Sequence, residues 1–358
     1  MAAPALALLL APPPRAFAGE NAPHFSMYVS QGFQKMFKET ASDERTSLDL
    51  TFYNVQVTAP VKDWLALRSE IEAEDSPYYN IIAGTDHKAS LNPFVVVAEA
   101  QVAPTPRHRF RVGLIRQPFS FYNEYRSIGI LYPFTNLPWL YQPLAGTMNP
   151  NLRGVAYQYT AYLGDFILDN TLYGGMMEMP TALDVHGNID INQIQIVSDN
   201  LAETIIKPIQ LDNLFGGQSK LQQEDWGLTL SAGGFHGWKY DGADETPWYS
   251  WVAGAQINNS YVLASGEWNR VNDASESYYG FLGIRLPLGL MATGIADRFY
   301  ANRSHTGRAY MKIDGLGLNW EAAPEFVVKA GWEEQTFSFA TEHQFTQNLR
   351  LMIAAALF

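Results

Sequence analysis

Trp226-Gly227-Leu228-Thr229-Leu230-Ser231-Ala232-Gly233 is the stretch that decides how this chain is read. Side chains of an extended chain point alternately to opposite faces, so Trp226, Leu228, Leu230 and Ala232 share one face and Thr229, Ser231 and Gly233 the other. The same alternation sets Trp251, Ala253, Ala255 and Ile257 against Gly254, Gln256 and Asn258. It also sets Val96, Ala98, Ala100 and Val102 against Glu99 and Gln101, and Leu65, Leu67 and Ile71 against Arg68, Glu70 and Glu72. One face is oily and the other polar or charged. From His24 to Phe358 such stretches of about ten residues alternate with turn-forming residues, the pattern of transmembrane strands. A soluble β-sandwich has the same period with its apolar face toward a core, so alternation alone leaves both open.

Composition narrows the choice. The chain has 358 residues, 47% hydrophobic and 13% aromatic, with a mean hydropathy of −0.14. Beyond the first twenty residues nothing approaches the ~20 unbroken apolar residues of a spanning helix. A membrane protein of this composition must cross as a closed barrel, because hydrocarbon leaves no unpaired backbone group solvated. The absence of cysteine excludes disulfides, a thiol nucleophile and a thiolate metal site. A net charge of −12 argues against nucleic acid as a partner. Ala5 to Ala11 followed by Ala16-Phe17-Ala18 reads as an export signal over residues 1–18, although the charged n-region is missing; a disordered Pro/Ala tail is the bland alternative. Residues 19–358 are expected to form a single barrel domain.

Connections favour the barrel. Tight turns are expected at Ala59-Pro60-Val61, Ala103-Pro104-Thr105-Pro106, Leu163-Gly164-Asp165, Asn258-Asn259-Ser260, Pro287-Leu288-Gly289 and Ala323-Pro324, alternating with longer, more acidic loops. Short periplasmic turns and long outer loops are the habit of outer-membrane barrels. Counting from both ends, Phe166–Met179 and Trp226–Trp238 would both run outward, so an inward strand must lie between them. Asn213–Gln222, turning at Gln223-Glu224-Asp225, is the best candidate. The expected fold is therefore all-β, a transmembrane antiparallel barrel of about 16 strands (14–18). Tyr157 and Tyr159, Tyr278 and Tyr279, Phe299 and Tyr300, and Trp320 and Trp332 are read as interfacial girdles. The last strand, from Phe345, ends in an aromatic, with Met352, Ala354 and Ala356 at alternate positions.

The most specific stretch is Arg111 to Leu163. Val112-Gly113-Leu114-Ile115-Arg116-Gln117-Pro118-Phe119-Ser120-Phe121-Tyr122-Asn123-Glu124 leads into Ile130-Leu131-Tyr132-Pro133-Phe134-Thr135-Asn136-Leu137-Pro138-Trp139, and Arg153-Gly154-Val155-Ala156-Tyr157 opens the next strand. This region resembles porin-like proteins related to the phosphate-selective porins: a strand ending in Arg-x-Pro, an aromatic loop with a split Tyr-Pro-Trp-like element, and a Gly-led strand. The resemblance implies a bacterial outer-membrane barrel with an inward-folded loop, a channel for passive or weakly selective diffusion of small polar solutes or ions. It does not imply phosphate specificity, which would need a basic ladder that this acidic chain mostly lacks.

The residues of the loop at 119–151 agree, since its aromatics and prolines are too apolar to remain in water; packing at the rim or against a neighbouring protomer is the alternative to filling the barrel mouth. Within it, Glu124 and the cationic Arg126 are candidates for solute selection. Arg107, Arg109 and Arg111 share a face that must be luminal, forming either an anion-attracting strip or a periplasmic-rim cluster balanced by Glu99, Asp314 or Glu333; closeness to the Pro106 turn favours the rim. Luminal placement is expected for Lys312, Lys329 and Arg285 too. The expected pore-lining set is Arg107, Arg109, Arg111, Arg116, Glu124, Arg126, Glu99, Lys312 and Asp314. Seven dispersed histidines show no metal-ligand spacing, and no phosphate loop or nucleophile elbow appears, so neither metal nor cofactor nor catalytic residue is expected. Outer-membrane lipid, small solutes and a possible homotrimer are the expected partners. Two other classes stay open: a barrel that docks or sheathes another exported protein, and a barrel lipid hydrolase assembled from separate strands.

Overall fold

The computed structural model describes residues 23–38, 45–47, 51–75, 92–125, 128–135, 137–141, 151–182, 206–240, 245–272, 275–301, 310–339 and 342–357. The leader read at residues 1–18, Arg126, Asn136 and the terminal Phe358 lie outside them. The strands are β1 (His24–Lys38), β2 (Arg45–Ser47), β3 (Thr51–Lys62), β4 (Leu65–Asp75), β5 (Asn92–Thr105), β6 (His108–Arg116), β7 (Asn151–Leu163) and β8 (Phe166–Ala182). There follow β9 (Ile206–Gln223), β10 (Leu228–Tyr240), β11 (Glu245–Asn258), β12 (Val262–Val271), β13 (Ser275–Arg285), β14 (Leu290–Ala301), β15 (Tyr310–Ala323), β16 (Phe326–Phe339) and β17 (Glu342–Leu357).

β2 and β3 pair end to end along β1 and together make one stave of sixteen, and every stave pairs antiparallel with its neighbours in sequence. The ring closes where β17 returns onto β1, Met27 opposite Leu357 and Lys38 opposite Thr346. Closure removes the exposed sheet edge, which is the condition for entering hydrocarbon. The inward strand needed between Pro180 and Asp225 is present and longer than expected: β9 begins at Ile206 and pairs along both β8 and β10.

The first two tight turns fall later than their prolines suggest. Pro60 and Val61 remain in β3, the register shift between Pro60 and Lys62 absorbs the missing N–H, and the chain turns at Asp63-Trp64. Pro104 likewise stays within β5, which turns at Pro106-Arg107.

Leu67, Ile71, Leu230, Trp251, Leu316, Leu318, Leu349 and Ile353 are all exposed on the exterior, a surface matched to lipid and not to water. Glu70, Glu72, Glu99, Ser231, Glu267 and Asp297 face inward. Val96 departs from its expected place with Ala98: β4 pairs Glu70 with Val97 and Ile71 with Val95, so Val96 is the extra residue of a bulge, fully buried, and Val95 takes the outer face. Adjacent aromatics cannot share a face. Tyr278 is exposed while Tyr279 and Phe299 are buried inside, so only one member of each such pair belongs to an outer girdle. In β17, Met352, Ala354 and Ala356 are inward and Leu349, Leu351 and Ile353 form the outer face.

Candidate functional site: a loop laid along the inner wall

β6 ends at Arg116, and the chain turns into the barrel through Ser120, whose φ of 70° is left-handed. Phe119, Phe121, Tyr122, Ile128, Tyr132, Phe134, Trp139, Leu140 and Tyr141 are all buried. Their bonds are to inward side chains of distant strands. Gln218 donates to Ser120 O at 3.1 Å and Gln256 to Tyr122 Oη at 2.8 Å. Glu267 accepts from Phe121 N at 2.9 Å, from Tyr279 Oη at 2.9 Å and from Tyr141 Oη. Asp297 accepts from Trp139 N at 2.7 Å, Asn319 donates to Pro133 O at 2.7 Å, and Thr135 Oγ1 donates to Glu333 at 2.9 Å. Lys329 Nζ donates to the carbonyls of Gly129 and Tyr132 at 2.5 Å each and of Phe134 at 3.0 Å.

The loop thus follows the inner wall from β9 to β16. Aromatic edges complete the seat, with Phe119 5.4 Å from Phe235 and Phe134 5.0 Å from Phe281. Small residues on the wall admit it. A Cβ on Gly254 would stand 2.8 Å from the Phe121 ring, and one on Gly129 3.3 Å from Ala354 Cβ. Ala354 of β17 is therefore a seat for the loop.

This seat explains two misplaced residues. Met311, Ile313 and Asn319 are buried on the inward face, Asn319 bonding the loop at Pro133 O, and alternation then forces Lys312 and Asp314 outward. Asp314, exposed, pairs with Arg298 at 2.6 Å on the exterior, and Lys312 lies 6.0 Å from the Tyr310 ring. Neither lines the lumen. Inward ion pairs are found instead on β4–β6, with further inward charge at Glu267, Asp297, Lys329, Glu333 and Arg350. Arg116 Nη2 meets Glu70 at 2.7 Å and Glu72 at 3.2 Å. Arg111 meets Glu99 at 2.9 Å and Glu124 of the loop at 2.7 Å. Arg107 and Arg109 are exposed near the turn, so the three arginines do not form a buried strip. Arg285 bonds Asn258, Asn259 and, at 3.8 Å, Glu321 beside the short turns.

Enclosure in the barrel would raise the pKa of Glu124, but Arg111 foremost, with Lys220 and Arg68, holds it below the ordinary carboxylate value. Burial foremost, and the adjacent Glu267, push the Tyr141 phenol well above its ordinary value, so Tyr141 stays a donor. Sequence reasoning missed Glu267, Asp297 and Lys220. A single Glu or Asp in an aromatic strand, as in Gly266-Glu267-Trp268 and Ala296-Asp297-Arg298, was the available signal.

No family model and no curated protein matches the chain. Solved structures do. The outer membrane channel DcaP of Acinetobacter baumannii superposes with a TM-score of 0.63 at 10% identity, covering 96% of this chain and 99% of that one. The anion-selective porin from Comamonas acidovorans gives 0.61 at 12%, covering 94% and 99%. Salmonella typhi OmpF gives 0.59 at 11%, covering 96% and 99%. The fold of this chain is that of a porin-like β-barrel.

Proposed function

We propose that the protein is an outer-membrane, porin-like channel that passes small polar solutes or ions passively or with weak selectivity, and that it is not an enzyme. The observation that carries this reading is the division of the interior: the loop occupies the wall from β9 to β16, while the wall from β3 to β8 keeps its polar and charged side chains. A barrel of this size otherwise encloses an aqueous space. The loop is the constriction, Glu99, Arg111, Arg116 and Glu124 line it, and Arg107 and Arg109 stand at the periplasmic mouth. Arg126, which falls in the same loop segment in sequence, is proposed as a further selecting cation. Assembly as a homotrimer fits the same reading, since one of the similar structures is described as the trimer form of OmpT of Vibrio cholerae.

Planar-bilayer recording tests the proposal. Purified protein is expected to give discrete conductance steps, and deletion of Asn123 to Thr147 to raise them about threefold, because the constriction sets the narrowest section. Silence of folded protein at all voltages would overturn the channel reading; unchanged conductance after deletion would overturn the constriction.

A further inference from the structure

Resting on the channel reading, we infer that the pathway is built for uncharged, hydrogen-bonding solutes of the polyol or sugar class. Five glutamines, Gln56 on β3, Gln101 on β5, Gln158 on β7, Gln222 on β9 and Gln256 on β11, sit one to each alternate strand and all face inward in the half nearer the short turns. Threonines stand among them: Thr160 is cross-strand to Asp169 and Thr229 to Gln256. An amide offers donors and an acceptor without net charge, which matches the alternating donors and acceptors of vicinal hydroxyls.

Apart from Arg107 and Arg109 at the turn, most charges nearby are paired with one another. Among the described residues, Arg111 is held by Glu99 and Glu124, Arg116 by Glu70 and Glu72, and Arg350 by Glu333 at 2.7 Å. Lys220 lies directly across from Asp169 in the β8–β9 register. Asp169 in turn accepts from Gln158 at 3.3 Å and from Gln222 at 3.4 Å, Gln101 donates to Glu99 at 2.6 Å and Gln256 to Tyr122 at 2.8 Å, so four of the five amides are held in place. Opposite charges at such separations leave little field for a passing ion, so neither sign is strongly favoured. Rings of charged side chains of one sign are one common way to select an ion.

The test compares glucose with gluconate and glucosamine, of nearly equal size, in a liposome-swelling assay, together with bilayer recording across a potassium chloride gradient. Glucose is expected to enter at least about threefold faster than either charged solute, and potassium and chloride permeabilities to lie within about twofold of each other. The triple variant Gln101→Leu, Gln158→Leu, Gln222→Leu should lower glucose entry about fivefold while changing salt conductance less than about twofold. Gluconate or glucosamine outrunning glucose through conducting wild-type protein would overturn this inference and leave the channel intact. Silence in both assays would overturn the channel itself.

Discussion

Lys329 is buried and donates to three loop carbonyls from one ammonium group. Hydrogen bonds to a charged donor are stronger than neutral ones, and unpaired buried carbonyls are expensive. Lys329→Met should therefore destabilise the seated loop by about 3 kcal/mol while leaving the strands paired. The expected readout is a larger and noisier single-channel current with an unchanged far-ultraviolet spectrum; an unaltered current would show that the other bonds suffice. Gly254 makes the complementary case by steric exclusion. A leucine there must displace Phe121 or Glu267, and overpacking of this kind costs ~1–3 kcal/mol. Gly254→Leu should accordingly increase protease cleavage within the loop, whereas Gly280→Ala, whose Cβ would meet nothing within 4 Å, should not.

At the level of a single element, β15 shows where sequence reading succeeds and where it runs out. Its period of two is plain in Lys312-Ile313-Asp314-Gly315-Leu316-Gly317-Leu318. Which face looks inward is not, because the usual rule, charged residues to the lumen, assumes that the lumen is wet. The loop lies along β15, where Asn319 bonds Pro133 O, and Met311 and Ile313 on the same face are apolar and buried. Since the chain has no cysteine, single-cysteine labelling checks the assignment directly. Asp314→Cys should react with a maleimide offered from the detergent phase, and Ile313→Cys should stay protected until the protein is unfolded; the reverse pattern would restore the luminal reading of Asp314. The same logic explains the legible elements. Leu230 and Ser231, or Ala255 and Gln256, lie as their alternation says. An acid that holds a loop, such as Glu267, is marked locally only by its isolation in an aromatic strand, and its partners, far along the chain, are not marked at all.

For the molecule as a whole, the decisive contact is the pairing of the first strand with the last. Gln31 stands opposite Ile353 across that seam, and cross-strand neighbours bring their Cβ atoms to ~4.5–5.5 Å, close enough for a disulfide after modest adjustment. Gln31→Cys with Ile353→Cys should form an intramolecular bridge upon mild oxidation, giving a species whose compact gel mobility outlasts heating better than the reduced form. Failure to bridge in folded protein would place the seam in another register. The strand count was legible in sequence because parity demanded a strand between β8 and β10, although the β9 pattern, with Gly216 and Gly217 at its centre, is weak by itself.

The bonds that seat the loop also fix the order in which this molecule can be made. Tyr141 and Glu267 are separated by 126 positions along the chain, Trp139 and Asp297 by 158, and Gly129 and Lys329 by 200. Contacts this distant form only after large loops have closed, which makes folding slow and late-committing. When the first nine strands have been delivered to the membrane, the segment that will narrow the lumen already exists, with the bonds from Arg111 and Gln218 but not those from the later strands to hold it. Its carbonyls find their cation, and its tyrosine its acid, only once the last third of the chain arrives. Until then it is an apolar ribbon exposed to whatever machinery guides insertion, so seating of the ribbon and sealing of the ring belong to the same final event.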